Sequence, residues 1–514
     1  MKNLKNHYKK LKDINFKSIF ELRVKYDPNN ILYLYGDEGK EIKKSVSDFY
    51  YDVLKLGTYL SKIYNNKKIA LIGENSYNWI ISYFASIFSD NIIVPLDKEL
   101  PFSDLSDLLK RGECELLIYS KSYEDIANKL NDELKINILS MDEIDNILLN
   151  DYKEYYEYKR GIDDLCAIIF TSGTTGLPKA VMLSEKNICY DSYYASLSLW
   201  LKGYSVLTLP LHHTFALSVN IIGAYICGCP VYISKGIRYF TKELKYYNAR
   251  SLALVPLYLE TIYKNIWLTA KKNNSLDKLT NAIKLSDRLR KIGIDLRKIF
   301  FKKITSNIGK NLENIICGGA FLDQKYIDFF DSIGIKVFNG YGITECSPIV
   351  SVNRYKKRIK NSVGMPISCL DVKIIDGEIC VKGDSVMLGY YKDEKSTSDA
   401  IKNDYFHTGD IGYKDKNGFI FVTGRIKNLI ILSNGKNISA EELEKKIYEI
   451  DGVEEVVVKG ENDIIVAEVY IADNKKIDKE IDLLNHQMPP YKRISKIIYR
   501  DFEFEKTTTR KIKR

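Results

Sequence analysis

The segment Ile168 to Val181, IIFTSGTTGLPKAV, assembles the residue types that hold a polyphosphate. An apolar run leads into Thr171, Ser172, Gly173, Thr174, Thr175 and Gly176, and Lys179 comes three residues later. Glycines let backbone N–H groups point at a ligand, hydroxyls donate to phosphate oxygens, and a lysine adds positive charge. The order is not that of a Walker A loop, because Lys179 comes after Pro178 and no Gly-Lys-Ser/Thr sequence occurs. A phosphate-binding turn at the end of a strand is the expectation.

Such a turn has to be carried by a sheet, and the surrounding sequence supplies one. Ile69 to Ile72 is a short apolar run, Glu74-Asn75-Ser76 offers a helix cap, Tyr77 to Phe88 reads as a helix, and Ile92 to Val94 returns as a strand ended by Pro95. Further strands are expected at Leu116 to Tyr119, Ala167 to Phe170, Val206 to Leu209, Val231 to Ile233, Leu252 to Val255, Ile315 to Cys317 and Lys336 to Phe338. Most are continuous apolar runs, as strands covered on both faces require, and helical segments separate them. The fold class is therefore α/β with largely parallel sheets flanked by helices. After about residue 355 short strands and glycine turns predict a β-rich subdomain. From Gly424 a small α+β unit is expected, with a helix at Ala440 to Ile450 and strands at Val453 to Lys459 and Ile464 to Ile471.

Length and composition agree. A chain of 514 residues exceeds one hydrophobic core. Its 45% hydrophobic and 28% charged residues exclude disordered, collagen-like and coiled-coil architectures. The 77 Lys and Arg against 67 Asp and Glu give a mild excess of +10, which suits anionic small molecules or an anionic membrane face. Nine scattered cysteines with no metal or redox spacing predict reduced, buried thiols of a cytoplasmic protein. The opening MKNLKNHYKKLKD never reaches an apolar segment, so no secretory signal is expected. Thr214 to Ser234 carries no charge, but Asn220, Gly223 and the Gly228-Cys229-Pro230 turn favour a buried helix and then a core strand over a membrane span. Residues 270 to 310, rich in Lys and Arg with amphipathic spacing, read as a solvated helical insertion or a patch for CoA or membrane phosphates.

With these motifs in place the chain resembles the adenylate-forming superfamily of acyl-CoA synthetases, peptide-synthetase adenylation domains and luciferases, and within it most resembles long-chain fatty acyl-CoA synthetases. The likeness runs from IALIGENSYNWI near residue 69 to the terminal KTTTRKIKR. It implies a large amino-terminal AMP-binding domain over 1–424, a hinge at 425–428 that includes Lys427, and a small mobile carboxy-terminal domain over 429–514. Alone, His213 in LTLPLHH would read as a core histidine; the resemblance puts it beside the carboxylate pocket. Gly318, Gly319 and Ala320, with Asn339, Tyr341 and Gly342, take the place of the adenine site, where Tyr341 offers a stacking face and Asn339 an amide. Thr344 is implied at the α-phosphate and Glu345 as a ligand of Mg2+. Asp410, in YFHTGDIG, and Arg425, in GRIKN, stand where the family binds the ribose. Lys511 aligns with the lysine of the first half-reaction.

The implied chemistry is attack of a carboxylate on the α-phosphorus of ATP, release of pyrophosphate, and transfer of the acyl group from AMP to a thiol. A fatty acid and CoA are the expected substrates, with the phosphopantetheine of an acyl carrier protein as the alternative acceptor and a non-catalytic nucleotide- or acyl-binding protein as a third reading. No nucleic acid partner is expected. Peripheral contact with the inner membrane face, through the basic amino terminus and residues 270–310, is the expectation for a water-insoluble substrate. The chain departs from the family pattern at Asp90, where a Gly is usual, at Ile431, at Glu505 and at Arg510 beside Lys511.

Overall fold

The computed structural model describes residues 2–171, 178–432, 436–461, 463–471, 476–506 and 512. Around Ile69 the expected arrangement is present. The strand Lys68–Ile72 lies between Ile92–Pro95 and Cys114–Tyr119, all parallel, and Ile69 to Ile72 are buried on both faces. Ser76 caps the helix Tyr77–Phe88 by accepting from the Trp79 N–H, and every residue of that helix except Asn78 is buried. This sheet has seven strands, in the order Gly389–Tyr390, Lys179–Ser184, Leu165–Thr171, Ile92–Pro95, Lys68–Ile72, Cys114–Tyr119, Asn137–Ser140. Lys179–Ser184, directly after the phosphate loop, is its one reversed strand, antiparallel both to Gly389–Tyr390 and to Leu165–Thr171, where Lys179 pairs with Thr171.

A second sheet holds Ser251–Leu254, Asn314–Cys317 and Lys336–Gly342 in parallel, then Ile349–Val352 and Met365–Pro366 antiparallel. A third pairs Ile31–Tyr35 with Val231–Ile233 and Ser205–Leu207 in parallel, with Ile42–Ser45 antiparallel at the edge. The β-rich part is antiparallel, built on Leu370–Ile375, Glu378–Gly383, Tyr405–Lys414 and Ile420–Arg425. After a single turn at Ile426–Asn428, the remaining strands and helices enclose a separate apolar core from Ile430 to Ile494. That core includes the antiparallel pair Val453–Glu461 with Ile464–Ile471 and the helix Ala440–Ile447, which stops three residues short of the sequence expectation. It meets the rest of the chain through an ion pair of 2.5 Å between Lys264 and Glu454 and through Lys445 over the Phe321 ring.

The uncharged stretch after His213 is helical from Thr214 to Cys227, but its middle, Leu217–Gly223, is wound as a π-helix. Gly223 makes this possible, since a Cβ there would lie 2.8 Å from the Ser218 carbonyl oxygen. The Gly228 turn (φ +76°) and the buried strand Val231–Ile233 come next, as expected. No helix among the described residues is long and apolar enough to cross a membrane. The nine cysteines are free, and all but Cys369 are buried. Asp90, at φ +58°, holds the left-handed conformation that favours glycine. Its carboxylate offsets that cost by accepting from the Lys159 and Arg160 N–H groups and the Tyr156 hydroxyl.

Candidate active site

Two strand ends bring the phosphate loop and the acidic turn together. Lys179 opens the strand after the loop, and its ammonium sits over the face of Tyr390 at 4.4 Å from the ring centroid. The Tyr390 hydroxyl donates to Glu345 Oε1 at 3.0 Å. The Met387 N–H donates to the Glu345 carbonyl, tying the same turn to the same edge segment. One side chain thus joins the lysine of the loop to the carboxylate of the Thr344–Cys346 turn. Tyr390 stays a hydroxyl donor, because burial and then the Glu345 charge push its ionisation far up. One Glu345 oxygen is occupied by this bond, and a carboxylate keeps further lone pairs for a hard cation. The donor therefore fits Mg2+, with Glu345 as the residue that would hold it. Thr171 is placed by its pairing with Lys179; Ser172, Gly173, Thr174, Thr175 and Gly176 lie outside the described residues, as does Lys511.

The strand Lys336–Gly342 carries the second half of the site. Asn339 pairs with Cys317, so the turn at Gly318, Gly319 and Ala320 leaves its sheet directly beside it. A Cβ on Gly318 would lie 3.5 Å from the Phe215 ring. Phe215, two residues after His213, therefore already fills the near side of this glycine turn. His213 begins that helix, with His212 packed on it at 4.1 Å between ring centroids. Both histidines come after a backbone clamped by Asn75, which donates to the Leu209 carbonyl and accepts from the Leu211 N–H.

At the far end of the strand, the Tyr341 hydroxyl donates to Asp410 Oδ2 at 2.6 Å, and Arg425 Nε pairs with Asp410 Oδ1 at 2.7 Å. Asp410 and Arg425 are cross-strand partners, which is why residues fifteen apart meet. The Asp410 carboxylate is 4% exposed and so is held by two donors in a nearly dry place. Behind it, Glu378 accepts from the Gly409 N–H at 2.7 Å and pairs with His407 at 2.6 Å, with the Cys380 sulfur 3.5 Å from the same ring nitrogen. These bonds account for the closeness of Glu378, Cys380 and His407 and fix the turn that presents Asp410.

Between the π-helix and the helix Glu185–Ser198 lies a cavity of about 30 Å³, lined among others by Ala195, Leu199, Val219, Gly223 and Ile349. Its polar flank is Ser192, Ser196 and Ser218, and behind Ser218 lies Asp191, fully buried, whose Oδ1 accepts from the Ile349 N–H at 2.7 Å. Ser218 Oγ, on the π-helix, lies 2.8 Å from Asp191 Oδ2 and 3.0 Å from the Ser347 carbonyl. One hydroxyl proton cannot serve both oxygens. Burial raises the Asp191 pKa well above its ordinary 3.8, so the carboxyl keeps its own proton and supplies the second donor. Asp191→Asn, with an amide in place of that donor, is expected to stay within about 1 kcal/mol of wild type, whereas Asp191→Ala should lose about 3 kcal/mol in urea denaturation. The pH dependence has a definite sign. A folded pKa raised above the unfolded one stabilises below the unfolded value and is lost as pH rises, so the Asn variant should gain on wild type as pH rises above the ordinary carboxylate range.

Of the residues expected from the sequence, Lys179 and Glu345 are joined through Tyr390, and Tyr341 and Arg425 meet at Asp410; the contacts of Tyr390, Phe215, Asn75 and Asp191 were not anticipated. Only Tyr390 left a signal, since GYYKD comes after a strand-like run in the otherwise polar stretch beyond 382.

A largely parallel α/β sheet that ends at a Gly, Ser and Thr-rich stretch, with an antiparallel strand pair setting Asp410 beside Tyr341, suits an adenylate-forming enzyme. The AMP-binding enzyme family matches residues 20–391, and the chain belongs to that family. Fatty acyl-CoA synthetase A of Dictyostelium discoideum is 26% identical over 488 residues, covering 84% of this chain and 73% of that protein. The long-chain-fatty-acid–[acyl-carrier-protein] ligase AEE15 of Arabidopsis thaliana is 26% identical over 542 residues, with 86% and 73% covered. In fold, the chain matches the O-succinylbenzoate coenzyme A synthetase of Bacillus subtilis, in complex with ATP and magnesium ion, with a TM-score of 0.78 over 96% of this chain and 98% of that one, at 20% identity.

Proposed function

We propose that this protein activates a long-chain fatty acid with ATP and passes the acyl group to CoA, giving acyl-CoA, AMP and pyrophosphate. The observation that carries the reading is the Lys179–Tyr390–Glu345 connection, which brings the loop lysine and the acidic turn to one tyrosine side chain. In this reading Lys179 and the loop hydroxyls hold the triphosphate, and Thr344 contacts the α-phosphate. Asp410, steadied by Arg425 and Tyr341, accepts from the ribose hydroxyls. Tyr341 and the glycine turn enclose the adenine, and His213 faces the incoming carboxylate. Mg2+ held at Glu345 would supply positive charge to the phosphates. Negative charge gathering on the α-phosphate and on departing pyrophosphate is met by Lys179 and Lys511.

The acyl tail would enter along the uncharged π-helix. A cavity of about 30 Å³ holds about one water, so a long chain requires the π-helix and the helix Glu185–Ser198 to part. The π turns, strained relative to an α-helix, are suited to such a shift. Movement of the unit after Ile426–Asn428 would then exchange the adenylation arrangement for one open to a thiol. Contact with a membrane face would bring the enzyme to its insoluble substrate. Carboxylate-dependent ATP–pyrophosphate exchange, run over acids from acetate to stearate, tests the first step; exchange indifferent to any acid would overturn the reading. AMP release with CoA against release with a holo acyl carrier protein decides the acceptor, and stimulation by the carrier alone would replace CoA as the thiol.

A further inference from the structure

The positive charge of this chain is concentrated in one place. Between residues 264 and 310 there are thirteen Lys and Arg against three Asp, a net of +10 that equals the formal charge of all 514 residues. Every one of these cations except Arg297 is exposed. The segment forms the helices Pro256–Lys272, Leu276–Lys291, Arg297–Phe300 and Lys302–Ile308.

The helix Leu276–Lys291 is amphipathic toward the protein, with Leu279, Ala282, Ile283 and Ser286 turned inward. Its opposite face carries Lys278, Leu285 and Arg288, with Ile292 just beyond its end; spacings of seven, three and four residues put them on one stripe. Leu285 is 48% exposed and Ile292 70%, and in the segment that follows Ile294 is 44% and Ile299 70% exposed. Exposed aliphatic side chains thus recur among the cations of this segment, where solvation alone would select none. Lone exposed leucines are ordinary, but a file of them set in basic residues is the pattern of an interfacial surface.

We infer that the outer face of residues 276–303 docks on an anionic phospholipid bilayer, with Leu285, Ile292, Ile294 and Ile299 entering the headgroup–acyl boundary and the surrounding Lys and Arg meeting lipid phosphates. Both halves of the surface are used by this occupant. A nucleic acid or a soluble polyanion would satisfy the cations and leave the aliphatic groups in water. A neutral bilayer would do the reverse. Docking requires neither ATP nor a carboxylic acid, so it stands or falls separately from the proposed catalysis.

The test is co-flotation of the full chain with vesicles of phosphatidylcholine alone or with 30% phosphatidylglycerol, at low and high salt. Binding to the anionic vesicles and its weakening by salt are expected, because near a bilayer each cation contributes about fivefold in affinity. Lys278→Gln, Arg288→Gln, Lys291→Gln and Lys298→Gln together should lower binding by at least about a hundredfold. The triple variant Leu285→Ser, Ile292→Ser, Ile299→Ser should also release the protein while its charge is unchanged. Thermal melting and pyrophosphate exchange with a short-chain acid establish that both variants remain folded and competent. No flotation, equal flotation with neutral vesicles, or undiminished binding by either folded variant overturns the inference, as does retention on polyuridylate without vesicle binding.

Discussion

Glu345→Gln is expected to slow carboxylate-dependent pyrophosphate exchange by about a hundredfold or more, with the fold retained. The amide oxygen can still accept from the Tyr390 hydroxyl, and the Met387 N–H bonds to the backbone carbonyl, which the substitution leaves in place. What disappears is the negative charge, which makes this position attractive to a hard cation. The loss should therefore be deepest at low magnesium and partly recovered at high magnesium. Exchange rates measured across a magnesium titration check this. An unchanged rate and an unchanged magnesium midpoint would remove Glu345 from the reaction. Tyr390 shares in this effect from behind: it orients Glu345 and separates it from the Lys179 ammonium by one aromatic ring.

Lys511→Ala should have an effect of comparable size on the same half-reaction, by removing a positive charge instead of a negative one. Losing a cation aimed at the charge of the adenylation transition state is expected to cost about a hundredfold or more in acyl-adenylate formation. Thioester formation from separately prepared acyl-adenylate should be little affected, because in the proposed movement of the unit after Ile426–Asn428 that step uses an arrangement from which the adenylation lysine is withdrawn. Lys511 lies between residues that the structure does describe. Lys506 and Ile512 form an antiparallel bridge, and Lys506 is ion-paired with Glu455 and Glu503. Single-turnover measurements of the two half-reactions separate the outcomes. Equal slowing of both would place Lys511 in thiol delivery or in folding instead of adenylation.

Much of this architecture is legible in order along the chain because the groups expected to bind a nucleotide are local. Thr171 through Lys179, Thr344 with Glu345, and the turn ending at Asp410 each lie within one short stretch, and such stretches retain their composition wherever the fold places them. The buried strands are readable for a similar reason. A run such as Ile69 to Ile72, apolar at every position, has no face to give to water and must lie inside a parallel sheet.

Partnership is what the tertiary structure decided. That Tyr390 joins Lys179 to Glu345 depends on a two-strand pairing between Gly389–Tyr390 and Met182–Val181, some 200 residues apart, and no periodicity encodes it. The π winding at Leu217–Gly223 and the protonated Asp191 behind it depend on how Ser218, Ser347 and Ile349 converge from separate elements. Residue type prescribes which bonds a side chain is able to make, whereas burial and the approach of distant strands select the bonds it does make, since only a dry, crowded site penalises the alternatives.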